Sequence, residues 1–130
     1  MGDLGVDCLV TLGGDGTNRA VAKGSGRVPL VPISTGTNNV FPVMVEGTVA
    51  GLAAGLVARG AVDIESVTSV GKLWEVFVNG TLDDIALVDV AVSKERFVGA
   101  RAIWDLDTIE ELFVARSLPT GIGLSAIGFR

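Results

Sequence analysis

Three glycines, one carboxylate and one hydroxyl are crowded into Gly13-Gly14-Asp15-Gly16-Thr17, directly after the apolar run Cys8-Leu9-Val10-Thr11-Leu12. Glycine has no Cβ, so the backbone of Gly13, Gly14 and Gly16 can turn sharply and bring bare N–H groups against a phosphate. Thr17 and Asn18 suit the cap of a following helix, whose positive end would face the same anion. Asp15 does not belong in a simple phosphate cradle, because a carboxylate repels phosphate. Two roles explain it: removing a proton from an attacking hydroxyl, or holding Mg²⁺. An ordinary Gly-Asp-Gly turn is the bland alternative, since both residue types dominate turns on conformational grounds.

The whole GGDGT string at the end of a strand resembles the signature loop shared by NAD kinases and diacylglycerol or lipid kinases. A second run, Val31-Pro32-Ile33-Ser34-Thr35-Gly36-Thr37-Asn38-Asn39-Val40-Phe41-Pro42, is most similar to the ATP-NAD kinase-like proteins that accompany acetoin catabolism. The resemblance implies a βαβ nucleotide domain followed by a β-rich domain, with ATP, Mg²⁺ and NAD as expected ligands. It also places Thr37 at a ligand, by analogy with the Gly-Thr-Gly-Asn loop of diacylglycerol kinases. Asn38 and Asn39 suit a helix cap and a ligand contact equally well.

Composition narrows the chemistry. The chain has 130 residues, long enough for a real core; 48% are hydrophobic, mean hydropathy is +0.55, and the 18 glycines are about twice the roughly 7% average usage. There is no histidine, which excludes imidazole bases and histidine zinc sites and leaves acid–base work to carboxylates. The single Cys8 cannot form an internal disulfide and reads as a small core residue. A net charge of −5 without a basic run argues against nucleic acid and implies that an anionic nucleotide arrives with Mg²⁺. Glu46 and Arg59 bracket the longest apolar stretch, below the 18 or so residues of a membrane span, and no signal-peptide pattern opens the chain. A cytoplasmic protein is expected.

The elements that must position these residues follow from periodicity. Residues 6–12 predict a buried strand, 18–23 a short helix closed by Gly24-Ser25-Gly26, and 28–33 a second strand. The interval 13–27 is long enough for a right-handed crossover, so the strands can be parallel, with both polar loops at one mouth. Residues 48–59 predict a helix with Val49, Leu52, Ala53, Leu56 and Val57 as its core face. Lys23 suits the negative end of its helix better than a phosphate, with Arg19 nearby.

From residue 61 the chain becomes β-rich, with strands expected at 62–64, 69–78, 84–92 and 97–103 and a tight turn at Asn79-Gly80. Residues 107–111, with the capping box Thr108-x-x-Glu111, are expected to open a short helix that buries Ile109, Leu112 and Phe113. The expected fold is therefore α/β: a partial NAD kinase-like βαβ nucleotide half over residues 1–60, then a partial β-rich, substrate-side half over 61–130. Both ends read as cut from a longer protein, and an unfinished β domain implies a homo-oligomer.

Where NAD kinases carry an Asn-Glu pair, this chain has Val88-Asp89, and Pro119-Thr120-Gly121-Ile122-Gly123-Leu124-Ser125 resembles their Pro-Thr-Gly-Ser-Thr-Ala-Tyr segment in its first three residues only, Pro119, Thr120 and Gly121. Asp89 and Thr120 are thus substrate-side candidates, and Asp89 is also a candidate Mg²⁺ ligand beside Asp15, or a strand-end carboxylate bound only to solvent or backbone. Three functions are in play. One is a phosphotransferase carrying a phosphoryl group from ATP or polyphosphate to a hydroxyl of NAD or a related small molecule, or to a lipid. A second is a nucleotide-binding regulatory protein of acetoin catabolism without turnover, and a third a structural subunit without ligand.

Overall fold

The computed structural model describes residues 5–95, 105–118 and 124. The expected strand at 97–103 and the candidate Thr120 lie outside the described residues.

The first region is the expected parallel pair. β1 (Leu9–Gly13) lies beside β2 (Leu30–Ser34), with Leu9 opposite Leu30 and Gly13 opposite Ser34. The crossover helix α1 (Asp15–Ser25) begins inside the glycine string rather than at residue 18. Asn18 explains the difference. It does not cap; its own N–H donates to Gly14 O at 3.1 Å, a helical bond, and its side chain is fully buried against β1. Gly26, at φ +60°, ends the helix in a conformation that side chains disfavour.

α2 (Gly47–Ala58) is capped by Glu46, whose carboxylate accepts the Val49 N–H at 3.1 Å, so neither Asn38 nor Asn39 caps it. The helix packs against β1 and β2, but of the expected core stripe only Val57 is covered. Ala50, Ala54 and Val57 are the covered positions, whereas Val49, Leu52 and Leu56 remain exposed. Small side chains let a helix backbone approach a sheet closely, which leaves the bulky ones outside.

The second region is built from hairpins. β3 (Trp74–Val78) and β4 (Thr81–Ala86) join through Asn79-Gly80, both at positive φ (52° and 80°), as a two-residue turn of the strand-matching hand requires. The expected strand at 84–92 is broken at Leu87 and Val88, and β5 (Asp89–Ser93) continues beyond them. Residues 62–64 are not a strand. Asp63 starts a single helical turn, α3 (Ile64–Val67), closed by local bonds from Ser66 N–H to Asp63 O and Thr68 N–H to Ile64 O.

The expected helix at 107–111 is also replaced. Asp105 caps one 3₁₀ turn (Leu106–Thr108), and β6 (Ile109–Val114) then pairs antiparallel with β5. Val92 faces Glu111 while Ser93 faces Ile109, so Glu110 is the extra residue of a bulge and two successive glutamates point outward. That interruption of strand alternation is what gave the segment its helical appearance. Trp74 meets Phe113 edge-on at 5.7 Å, joining the two hairpins.

Candidate functional site

Buried polar contacts shape the GGDGT turn. Thr11 Oγ1 donates to Asn18 Oδ1 at 2.6 Å, and Asn18 Nδ2 donates to Gly14 O at 2.9 Å, fixing the turn to the strand beneath it. Gly14 is the N-cap of α1, and no side chain caps that end. First-turn N–H groups therefore remain for an anion. The three glycines have different reasons. A Cβ on Gly13 would stand 2.5 Å from Thr17 Oγ1 and one on Gly14 2.6 Å from Asn39 Oδ1, whereas one on Gly16 would meet open space.

Asp15 holds the second loop. Its Oδ1 accepts the N–H of Phe41 at 2.8 Å, and both its oxygens lie 3.1 Å from the N–H of Val40. Asn39 turns inward, donating to Ser34 Oγ at 2.9 Å, so it braces the loop. Thr17 and Thr37 are exposed, as is Asn38.

The opposite wall comes from the second region. A cavity of about 280 Å³ is lined on one side by Asp15, Gly16, Asn38 and Val40, and on the other by Val88 and Asp89. Its volume is near the lower end of small-molecule sites, roughly 300 Å³, which suits phosphate and hydroxyl groups better than a whole dinucleotide. Burial pushes the Asp89 carboxyl above its ordinary value, and the charge of Asp15 adds to the effect. Asp15 and Asp89 are the lining carboxylates that could hold a divalent cation here. Among the described residues no group of three or more Asp, Glu, Cys or His side chains could hold a metal by itself.

Arg19 and Lys23 both engage Asp84 of β4, Lys23 Nζ at 2.7 Å. This ties α1 to the second region and answers for Lys23 in a way the sequence did not suggest. The ammonium of Lys23, then the Ile85 N–H and Arg19, hold the Asp84 carboxyl down at about 2. Arg116 is a further residue that sequence reasoning missed: its guanidinium donates to Phe41 O at 3.2 Å and lies 5.1 Å from the centre of the Phe41 ring. No motif surrounds it that could have signalled the contact.

Comparison with known proteins agrees with this architecture. Residues 1–61 match the ATP-NAD kinase N-terminal domain, and residues 72–129 match the acetoin catabolism protein X C-terminal domain. The chain is thus similar to ATP-NAD kinase-like proteins in its first half and to acetoin catabolism protein X in its second. It is 44% identical over 131 residues to acetoin catabolism protein X of Cupriavidus necator, an alignment that covers 98% of this chain. The chain spans 36% of the length of that relative. No solved structure matches it. Among the described residues no helix is long and apolar enough to cross a membrane.

Proposed function

We propose that the chain forms the phosphate-handling part of a phosphotransferase, carrying a phosphoryl group from ATP or polyphosphate to a hydroxyl of NAD or a related small molecule. The supporting observation is one cavity that joins the start of α1, free of any side-chain cap, to the carboxylates of Asp15 and Asp89. In this reading residues 1–60 are the nucleotide half and 61–130 the substrate side, in a cytoplasmic protein. First-turn N–H groups of α1, with Gly16 leaving space beside them, receive phosphate oxygens. Gly13 and Gly14 permit the turn, Thr17 packs on Gly13, and Asn39 braces the loop that presents Thr37 and Asn38. Mg²⁺ would be held by Asp15 or Asp89 and would neutralise phosphate charge.

A carboxylate offers about four lone-pair sites. Two backbone N–H groups occupy most of those on Asp15, leaving capacity toward the cavity to orient an acceptor hydroxyl or take its proton. With Val88 standing where NAD kinases have Asn, NAD is expected to be a poor acceptor among hydroxyl compounds. Thr120 is proposed for the substrate side by its place in the Pro-Thr-Gly segment alone.

The second reading, a nucleotide-binding regulatory protein without turnover, draws on the same Asp15: a carboxylate already engaged by Val40 and Phe41 is explained by loop bracing without any reaction. One experiment separates the two. ATP-dependent phosphorylation of NAD and a panel of small alcohols is measured for wild type and Asp15→Asn. The enzyme reading expects kcat to fall about 10² to 10⁴-fold with nucleotide affinity changed far less. Nucleotide binding without turnover in the wild type would favour the regulatory reading.

Self-association belongs to the same proposal. Leu12 and Leu52 are 67% and 65% exposed, and apolar surface of this kind seeks a partner. Light scattering at micromolar concentration should report a homo-oligomer; a monodisperse monomer would remove this part of the reading.

A further inference from the structure

Both walls of the cavity meet at one residue. The backbone N–H of Arg116 donates to Val88 O at 3.2 Å, beside the Ala115 N–H to the same oxygen at 2.7 Å, so this segment holds the Val88–Asp89 wall. The side chain of Arg116 reaches in the other direction. Its Nη1 donates to Phe41 O at 3.2 Å, and the guanidinium stacks 5.1 Å from the ring centre of Phe41. Phe41 is in turn fastened through its N–H to Asp15 at 2.8 Å. A single side chain thus spans from the β5–β6 hairpin to the loop whose neighbouring residues, Asn38 and Val40, line the opposite wall.

We propose that Arg116 is a positioning residue, a clasp that sets the separation of the two cavity walls and keeps the Asp15-bound loop seated. Arginine suits the task better than lysine, because its planar guanidinium can donate to a carbonyl while stacking on an aromatic face. Lysine supplies charge without the planar stack. The clasp itself follows from these contacts; its effect on a nucleotide rests on the phosphotransferase reading above.

The test compares Arg116→Ala and Arg116→Lys with wild type by amide hydrogen exchange and by ATP titration calorimetry with Mg²⁺. In Arg116→Ala the Val40 and Phe41 amides should exchange about tenfold faster or more, while amides of the β1–β2 pair keep their protection. Lysine should restore part of this protection. ATP should bind about two- to thirtyfold more weakly to the Ala variant. Unchanged exchange at Val40 and Phe41, or equal acceleration throughout β1 and β2, would overturn the clasp. Faster exchange confined to the loop in a protein that binds no ATP would uphold the clasp and count against the phosphotransferase reading instead.

Discussion

The two regions of this chain are ordered by different means. Around β1 and α1, polar side chains are drawn into buried or half-buried hydrogen bonds: Thr11 with Asn18, Asn18 with the Gly14 carbonyl, and Asp15 with the N–H groups of Val40 and Phe41. In the second region, order comes from a tight turn, antiparallel strand pairing and an edge-on aromatic pair. Buried hydrogen bonds of the first kind are costly when broken, so they fix a geometry instead of merely adding stability. The difference places the rigid, expensive part of the molecule under the glycine turn and leaves the facing wall to a cheaper scaffold.

Asn18→Ala tests this contrast most severely. It leaves the buried Thr11 hydroxyl without its acceptor and the Gly14 carbonyl with only the backbone N–H of residue 18; at about 1–3 kcal/mol for the unsatisfied hydroxyl and about 0.5–1.5 kcal/mol for the lost side-chain bond, the expected loss is about 2–4 kcal/mol in denaturant unfolding. Gly80→Ala probes the other region. At φ +80° an L-residue costs about 1–2 kcal/mol, so the loss should be smaller and confined to the β3–β4 hairpin. If the hairpin variant proves the more damaging of the two, the ranking of the regions is reversed.

The mildest test falls on the joint between them. Asp84 titrates at about 2 in the folded chain against an ordinary 3.8, so its stabilising contribution is present above 3.8 and fades as pH falls through about 2. Asp84→Asn should therefore lower stability at neutral pH and flatten its decline between about pH 4 and 2. An acid-unfolding curve identical to wild type would show that the Arg19 and Lys23 contacts do not join the regions energetically.

How much of this could be read beforehand also divides by region. The strand-turn-helix around GGDGT and the hairpin at Asn79-Gly80 were legible because their glycines and asparagine answer to backbone geometry alone. The segment 105–114 was not, since Thr108-x-x-Glu111 satisfies a helix rule while its pairing with β5 is a tertiary fact that overrides it. Likewise Val49, Leu52 and Leu56 announce an amphipathic helix, yet nothing in their spacing says which face of α2 meets the sheet. In the candidate site, Asp15 and its glycines could be singled out by type. Arg116 and Asp84 could not, because an isolated charge far along the chain reveals its partner only once the chain is folded.

The contact between Gly14 and Asn39 has a consequence for variation. A methyl group at position 14 would fall 2.6 Å from Asn39 Oδ1, and Asn39 cannot simply swing aside, since its Nδ2 is engaged with Ser34 Oγ at 2.9 Å. Asn39 is therefore the ward of a lock: a side chain at position 14 is tolerated only with a matching change at position 39. Gly14→Ala should be disruptive alone and largely repaired by Asn39→Ser, so sequence change at position 14 must pass through the loop opposite.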